Sequence, residues 1–268
     1  MKKELLLFMI IILPMVVRAY DAKIDGIYYN FDNETKTATV TYLYLDISNE
    51  TAYSGDIVIP SEVTFDNVVY RITTIGGCAF RHCANLTSVT IGCYVSNIGD
   101  SAFESCSGLT SISIPNSVVS ISRGAFSGCL GLTSVAIPSS VTSIGDYAFQ
   151  NCTALTSVTI PYSVTFIGHS VFRDCTSLTT VSIPDHVTSI SSSMFYRCSA
   201  LTSIIIPSSV KYIDSDAFYC CSNLVLVTIP NGLTSIGGGA FNGCTSLTSI
   251  DIPENVKSIG GRAFGSCI

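Results

Sequence analysis

Charge is scarce in this chain. Asp, Glu, Lys and Arg make up 12% of its 268 residues, and the net charge is −6. It therefore lacks the clustered cations that neutralise a phosphate backbone, and nucleic acid is excluded as a partner. A polybasic patch for an anionic membrane surface is missing for the same reason. Water must meet mostly Ser, Thr and Asn. Histidine is rare too, at three residues, and nothing has the form of a phosphate-binding loop, an H-E-x-x-H zinc site or a calcium loop. Long apolar runs are confined to Leu5–Val17, about 13 residues interrupted by Pro14. That is short of the roughly 20 that span a bilayer. With Lys2 and Lys3 before it and Val17-Arg18-Ala19 after it, the run reads as a secretory leader cleaved after Ala19. No cysteine lies near that point to carry a lipid, and no second apolar segment follows, so no integral span is expected in the mature chain.

What is present is a period. Phenylalanine recurs from Phe80 to Phe264 at steps of 23 residues, with a cysteine three residues after each and, from Leu86 to Leu247, a leucine three further on. A fixed period of this length means a repeat array. Aligned on the leucine, the unit reads L-T-S-V-x-I-P-x-S-V-x-S-I-G-x-x-A-F-x-x-C-x-x. In Leu155–Ile160 the residues Val158 and Ile160 alternate with Ser157 and Thr159, the pattern of a strand buried on one face. Pro161, repeated in seven of eight copies, has no N–H to donate and ends the strand. A second short extended piece carries Val164 and Ile167. A tight turn around Val171-Phe172 follows, expected as a short turn or 3₁₀ piece. Gly168 shares its column with Ser122, Ser191 and Asp214, so a positive φ is not obligatory there.

One coil cannot bury its apolar side alone, and stacking coils at roughly 4.8 Å gives a parallel sheet with each side chain over its counterpart. The Phe column then forms an internal spine, each ring burying on the order of 150–200 Å². The nine column cysteines lie along a line, which suits buried thiols facing turn backbone, or in part coil-to-coil disulfides; it does not suit four ligands converging on zinc. Cys78, Cys93 and Cys220 stand off the column.

The pattern resembles the BspA-like bacterial leucine-rich repeats, the resemblance resting on "LTSVTIP" and "AFxxC" and covering Ile75 to Cys267. It implies a right-handed, curved repeat solenoid with a parallel β-sheet face, turns on the other face and a small β N-terminal cap. The expected division is a leader at 1–19, a β-hairpin cap at 20–56, a divergent first coil with the insert "TFDNVVYR" at 57–85, and the array at 86–268 with its last unit incomplete. The resemblance also implies a secreted or bacterial cell-surface adhesin binding an extracellular protein or glycan.

No catalytic set emerges. The histidines His82, His169 and His186 occupy different columns and read as surface residues. Asp100 and Asp146, two coils apart, would be roughly 10 Å from each other by strand spacing, too far for a retaining glycosidase pair. The Ser-Ile-Gly glycines make no dinucleotide fingerprint. Neither an enzyme nor a cofactor is expected. Binding is instead read from departures from the repeat, because a residue fixed in every coil is explained by the stack. Ile205 and Leu226 interrupt the outward hydroxyl columns, and Phe166 and Tyr212 share a column, with Tyr162 and Lys211 nearby. Those six are the candidate ligand-binding residues, since exposed aromatics beside a long cation often anchor a protein partner. The regular Thr-x-Thr array of an ice-binding face is broken by Ala136, Ile205 and Leu226. The chain stops inside a coil after Phe264, which gives an alternative: a structural envelope protein associating end to end through an open edge.

Overall fold

The protein is described by a computed structural model covering residues 20–42 and 53–267. The expected leader and residues 43–52, which include the end of the second expected cap strand, lie outside the described residues. The chain is a β-solenoid. Most coils contribute a strand from the LTSVTI segment, such as Leu86–Ile91 or Ser157–Thr159, the coil from Leu132 giving only a single bridge at Ser134, and a two-residue strand comes from the second extended piece, such as Ser120–Ile121 or Ser143–Ile144. Both pair in parallel with the next coil in 23-residue register, Val89 with Ile112 and Ile121 with Ile144.

The second piece forms the longer ladder, running from Val68–Ile75 through Asn97–Ile98 to Phe166–Ile167 and resuming at Ser189–Ile190. The LTSVTI face is divided into shorter sheets. Where it divides, the coil-to-coil bond comes from the residue before the leucine, as in Gly131 N–H to Ser107 O at 3.1 Å and Ala200 N–H to Thr176 O at 3.2 Å.

The Phe turn is the third and most regular ladder. Alternate amides close turns within the coil, Arg81 N–H to Cys78 O and Cys83 N–H to Phe80 O, both 3.1 Å. Those between them cross to the next coil, Phe80 N–H to Ala102 O and His82 N–H to Glu104 O, both 2.7 Å. A 3₁₀ helix would use every amide internally; here half are committed to stacking, so the segment is a chain of turns. The geometry needs two residues of positive φ per coil, two before and two after the Phe: Ser101 (53°) and Ser105 (60°), Ser193 (54°) and Arg197 (57°). Neither column holds Val, Ile or Thr, the residues least able to adopt that backbone.

Inside, Phe80 to Phe264 stack face to face with centroids 4.9 to 5.8 Å apart, and all but the last are fully buried. All twelve cysteines are free thiols. In the column, each thiol from Cys106 onward donates to the carbonyl of the Phe in the preceding coil, as with Cys152 Sγ to Phe126 O at 3.2 Å. Burial pushes these thiols up, Cys83 to about 11 and Cys244 to about 12.

At the N-terminus, Ala22–Ile24, Ile27–Asp32 and Thr37–Thr41 form an antiparallel meander. Its last strand runs parallel to Val68–Ile75 and so joins the second ladder. The hairpin Glu62–Phe65/Val68–Ile75 turns at Asp66-Asn67, both at positive φ. Tyr53 extends the spine into the cap, its ring 4.5 Å from Phe80 and its hydroxyl linking Tyr28 N–H to Thr41 O.

Candidate functional site: an opened junction between two coils

One junction in the second ladder does not close. Phe166–Ile167 pairs with Ser143–Ile144 before it, and Ser189–Ile190 pairs with Tyr212–Ile213 after it, but no pairing joins Phe166–Ile167 to Ser189–Ile190. The bonds made on either side, Thr165 N–H to Thr142 O and Lys211 N–H to Thr188 O at 2.8 Å, have no counterpart from Thr188 to Thr165. Likewise Gly168 bonds to Ile144 and Asp214 to Ile190, both at 2.9 Å, while the Ser191 amide makes no bond to Ile167.

The cause lies in one column. Ser117, Ser140, Ser163 and Ser209 each donate a hydroxyl to a valine carbonyl of the preceding coil at 2.6 to 2.7 Å, a short strut between neighbours. His186 occupies this column and makes the same bond, Nε2 to Val164 O at 2.6 Å, with a side chain two bonds longer. The strut is lengthened and the coils separate. Ser191 adds to this. An added Cβ at Gly168, in the same column, would lie 2.4 Å from the Asp146 nitrogen. Ser122 carries a Cβ in that column yet keeps its bond to Ile98 at 2.9 Å, so Ser191 is not sufficient alone.

The opening is a cleft of about 270 Å³ whose walls include Phe166, Ile167, His169, His186, Ser191 and Asp214. Ile167 and Val187, whose counterparts Ile144 and Val164 are fully buried, are here half-buried. Tyr162 stands edge-on to the His186 ring at 4.6 Å.

The comparisons place this scaffold among known proteins. The model of the BspA type leucine-rich repeat region, in six copies, matches residues 59–177 and 142–268. The chain belongs to the BspA-type leucine-rich repeat family. A leucine-rich repeat protein from Bacteroides ovatus superposes on it with a TM-score of 0.82 at 37% identity, over 90% of this chain and 61% of its own. The T. pallidum leucine-rich repeat protein TpLRR gives 0.60 at 26% identity, over 85% of this chain and 91% of its own. The pneumococcal vaccine antigen PcpA, at 0.56 and 20% identity over 92% and 79%, shares the fold. No curated protein matches the chain.

On this BspA-type array the six sequence candidates fall into two groups. Tyr162 and Phe166, 74% and 55% exposed, stand at the cleft, and Tyr212 is in register with Ser189 on its far wall, next to exposed Lys211. Ile205 and Leu226 lie on the LTSVTI face, in adjacent strands where Ser203 opposes Leu226 and Ile205 opposes Thr228. They are diagonal neighbours there, away from the cleft.

Sequence reasoning passed over His186, His169, Ser191 and Asp214. His186 is half-buried, and its Nδ1 has no hydrogen-bond partner. Partial burial raises the Asp214 carboxyl above its usual range, while His169 pulls it back down. The signal that finds His186 is its place in a serine column. A second feature also went unread: Arg173, Tyr196 and Tyr219 stack along the turn face. The guanidinium lies 4.2 Å from the first ring and the two rings are 4.7 Å apart, with Asp174 bound between Arg173 and Arg197. Among the described residues no group of three His, Cys, Asp or Glu converges to hold a metal, and no helix is long and apolar enough to cross a membrane.

Proposed function

We propose that this is an exported, noncatalytic recognition protein that binds an extracellular protein or glycan through the irregular positions on its solenoid surface. One observation carries it: the invariant columns are consumed by the stack, Phe in the spine and Cys against carbonyls, whereas Tyr162, Phe166, Ile205, Tyr212 and Leu226 are all more than half exposed. Large exposed side chains concentrated in a few neighbouring coils are what a recognition surface needs and a stack does not. Export is supported by the charged, apolar and small-residue order of residues 1–19.

The test is capture on an array of matrix proteins and glycans by the wild type and by Phe166→Ser/Tyr212→Ser. Loss of signal with an unchanged circular dichroism spectrum is the expected outcome. Full retention of binding by the double variant removes the aromatic patch.

A further inference from the structure

We propose that the opened junction between residues 164–169 and 186–191 is a subsite for a single saccharide ring. The proposal rests on the recognition function above and narrows its ligand to a carbohydrate.

Size comes first. The cleft holds about 270 Å³, just below the roughly 300 Å³ at which small-molecule pockets begin. That is room for one ring and its substituents. A peptide strand completing the broken ladder would need the coils about twice the roughly 4.8 Å strand spacing apart. The spine forbids this: Phe172 and Phe195 remain 5.8 Å from each other, and Ser191 Oγ still donates to Gly168 O at 2.6 Å. The junction is open on the outside and closed at its base.

The chemistry of the walls points the same way. Val164 O only accepts, so Nε2 of His186 carries the proton and, in the neutral ring, Nδ1 is left as an acceptor. The carbonyls of Thr165 and Ile167 have lost their coil-to-coil donors, and the amides of Thr188 and Ser191 their acceptors. Unpaired backbone donors and acceptors on residues of both walls therefore border a partly desolvated space, with Asp214 also on the wall. Vicinal hydroxyls, each donating and accepting, satisfy such a set. An anion would meet Asp214, and an aliphatic chain would leave the freed amides and carbonyls unpaired. The apolar face of a pyranose has its own partner in the exposed ring of Phe166, with Tyr162 held against His186 beside it.

The test uses the purified chain and methyl glycosides of a hexose, an N-acetylhexosamine and a 6-deoxyhexose, each at about 1 mM, read by saturation-transfer NMR. At least one glycoside receives saturation. His186→Ser restores the short strut, protects the amides of Thr188 and Ser191 from hydrogen exchange and abolishes transfer. Asp214→Gly, which returns the residue most common in that column, leaves the fold intact and weakens binding up to about tenfold, the worth of one hydrogen bond. Transfer to none of the three glycosides overturns the proposal. So does binding unchanged in both variants. Capture of a macromolecule on the array by His186→Ser at wild-type level sinks the subsite and leaves recognition elsewhere on the surface standing; glycoside binding without array capture does the reverse.

Discussion

The junction joining Ser143–Ile144 to Phe166–Ile167 and the one joining Phe166–Ile167 to Ser189–Ile190 come from the same repeat, yet only the first closes. Their spines do not differ. Phe149 to Phe172 and Phe172 to Phe195 are both 5.8 Å, the widest spacings in the stack. In both, the turn bond has lengthened to 3.0 Å, where bulky Val171 and Met194 replace the alanine before the Phe. A stretched spine therefore does not open the ladder. What differs is the strut, Ser163 in the closed junction and His186 in the open one, both 2.6 Å from their carbonyl, together with Gly168 against Ser191 in a neighbouring column. The solenoid tolerates volume along its axis and yields where a lateral spacer grows.

The largest way to break this comparison is through the spine. Phe126→Ala, between rings 5.3 Å away on both sides, removes a fully buried ring, and chemical denaturation should show a loss of about 3–5 kcal/mol. Phe172→Ala, flanked by the wider spacings, should fall at the lower end of that range. Equal losses would mean that the extra spacing carries no looser packing.

The spine was legible because nine phenylalanines at one spacing admit no other arrangement than a stack, and the cysteine column against turn carbonyls follows from the same register. Phe166 and Tyr162 could be picked out as departures from their columns. Among the three histidines His186 carries no distinguishing mark. Compared with Ser140, Ser163 and Ser209 it stands out as a longer side chain in a place built for a short one. What sequence withholds is the response of the stack: Ser122 and Ser191 occupy one column, and only coordinates show that one leaves the ladder intact.

A middle-sized effect transfers the wedge. Ser140 Oγ binds Val118 O at 2.7 Å in a closed junction. Ser140→His should therefore open a second cleft, breaking the bonds of Thr142 to Val119 and of Gly145 to Ile121. At about 0.5–1.5 kcal/mol for each hydrogen bond, the loss is about 1–3 kcal/mol. Exchange of the Thr142 and Gly145 amides should accelerate while the Phe149 amide stays protected. An unchanged exchange pattern would shift the cause of the natural opening from the histidine to Ser191.

The smallest effect is electrostatic and distinguishes the two junctions by their carboxyl. Asp214 lines the open one, whereas its counterpart beside the closed junction, one repeat earlier, is Ser191. Partial burial raises the Asp214 carboxyl, against the opposing pull of His169. The folded state thus holds this proton more tightly than the unfolded chain does. Its stabilising effect is complete below the unfolded value, about pH 4, and is lost as pH rises through the folded value. Asp214→Asn should flatten the stability profile just above pH 4 and leave it unaltered at lower pH. In the His186→Ser background, where the ladder closes over Asp214 and buries it further, the same substitution should remove a steeper slope; identical slopes in both backgrounds would show that the cleft does not set the environment of this carboxyl.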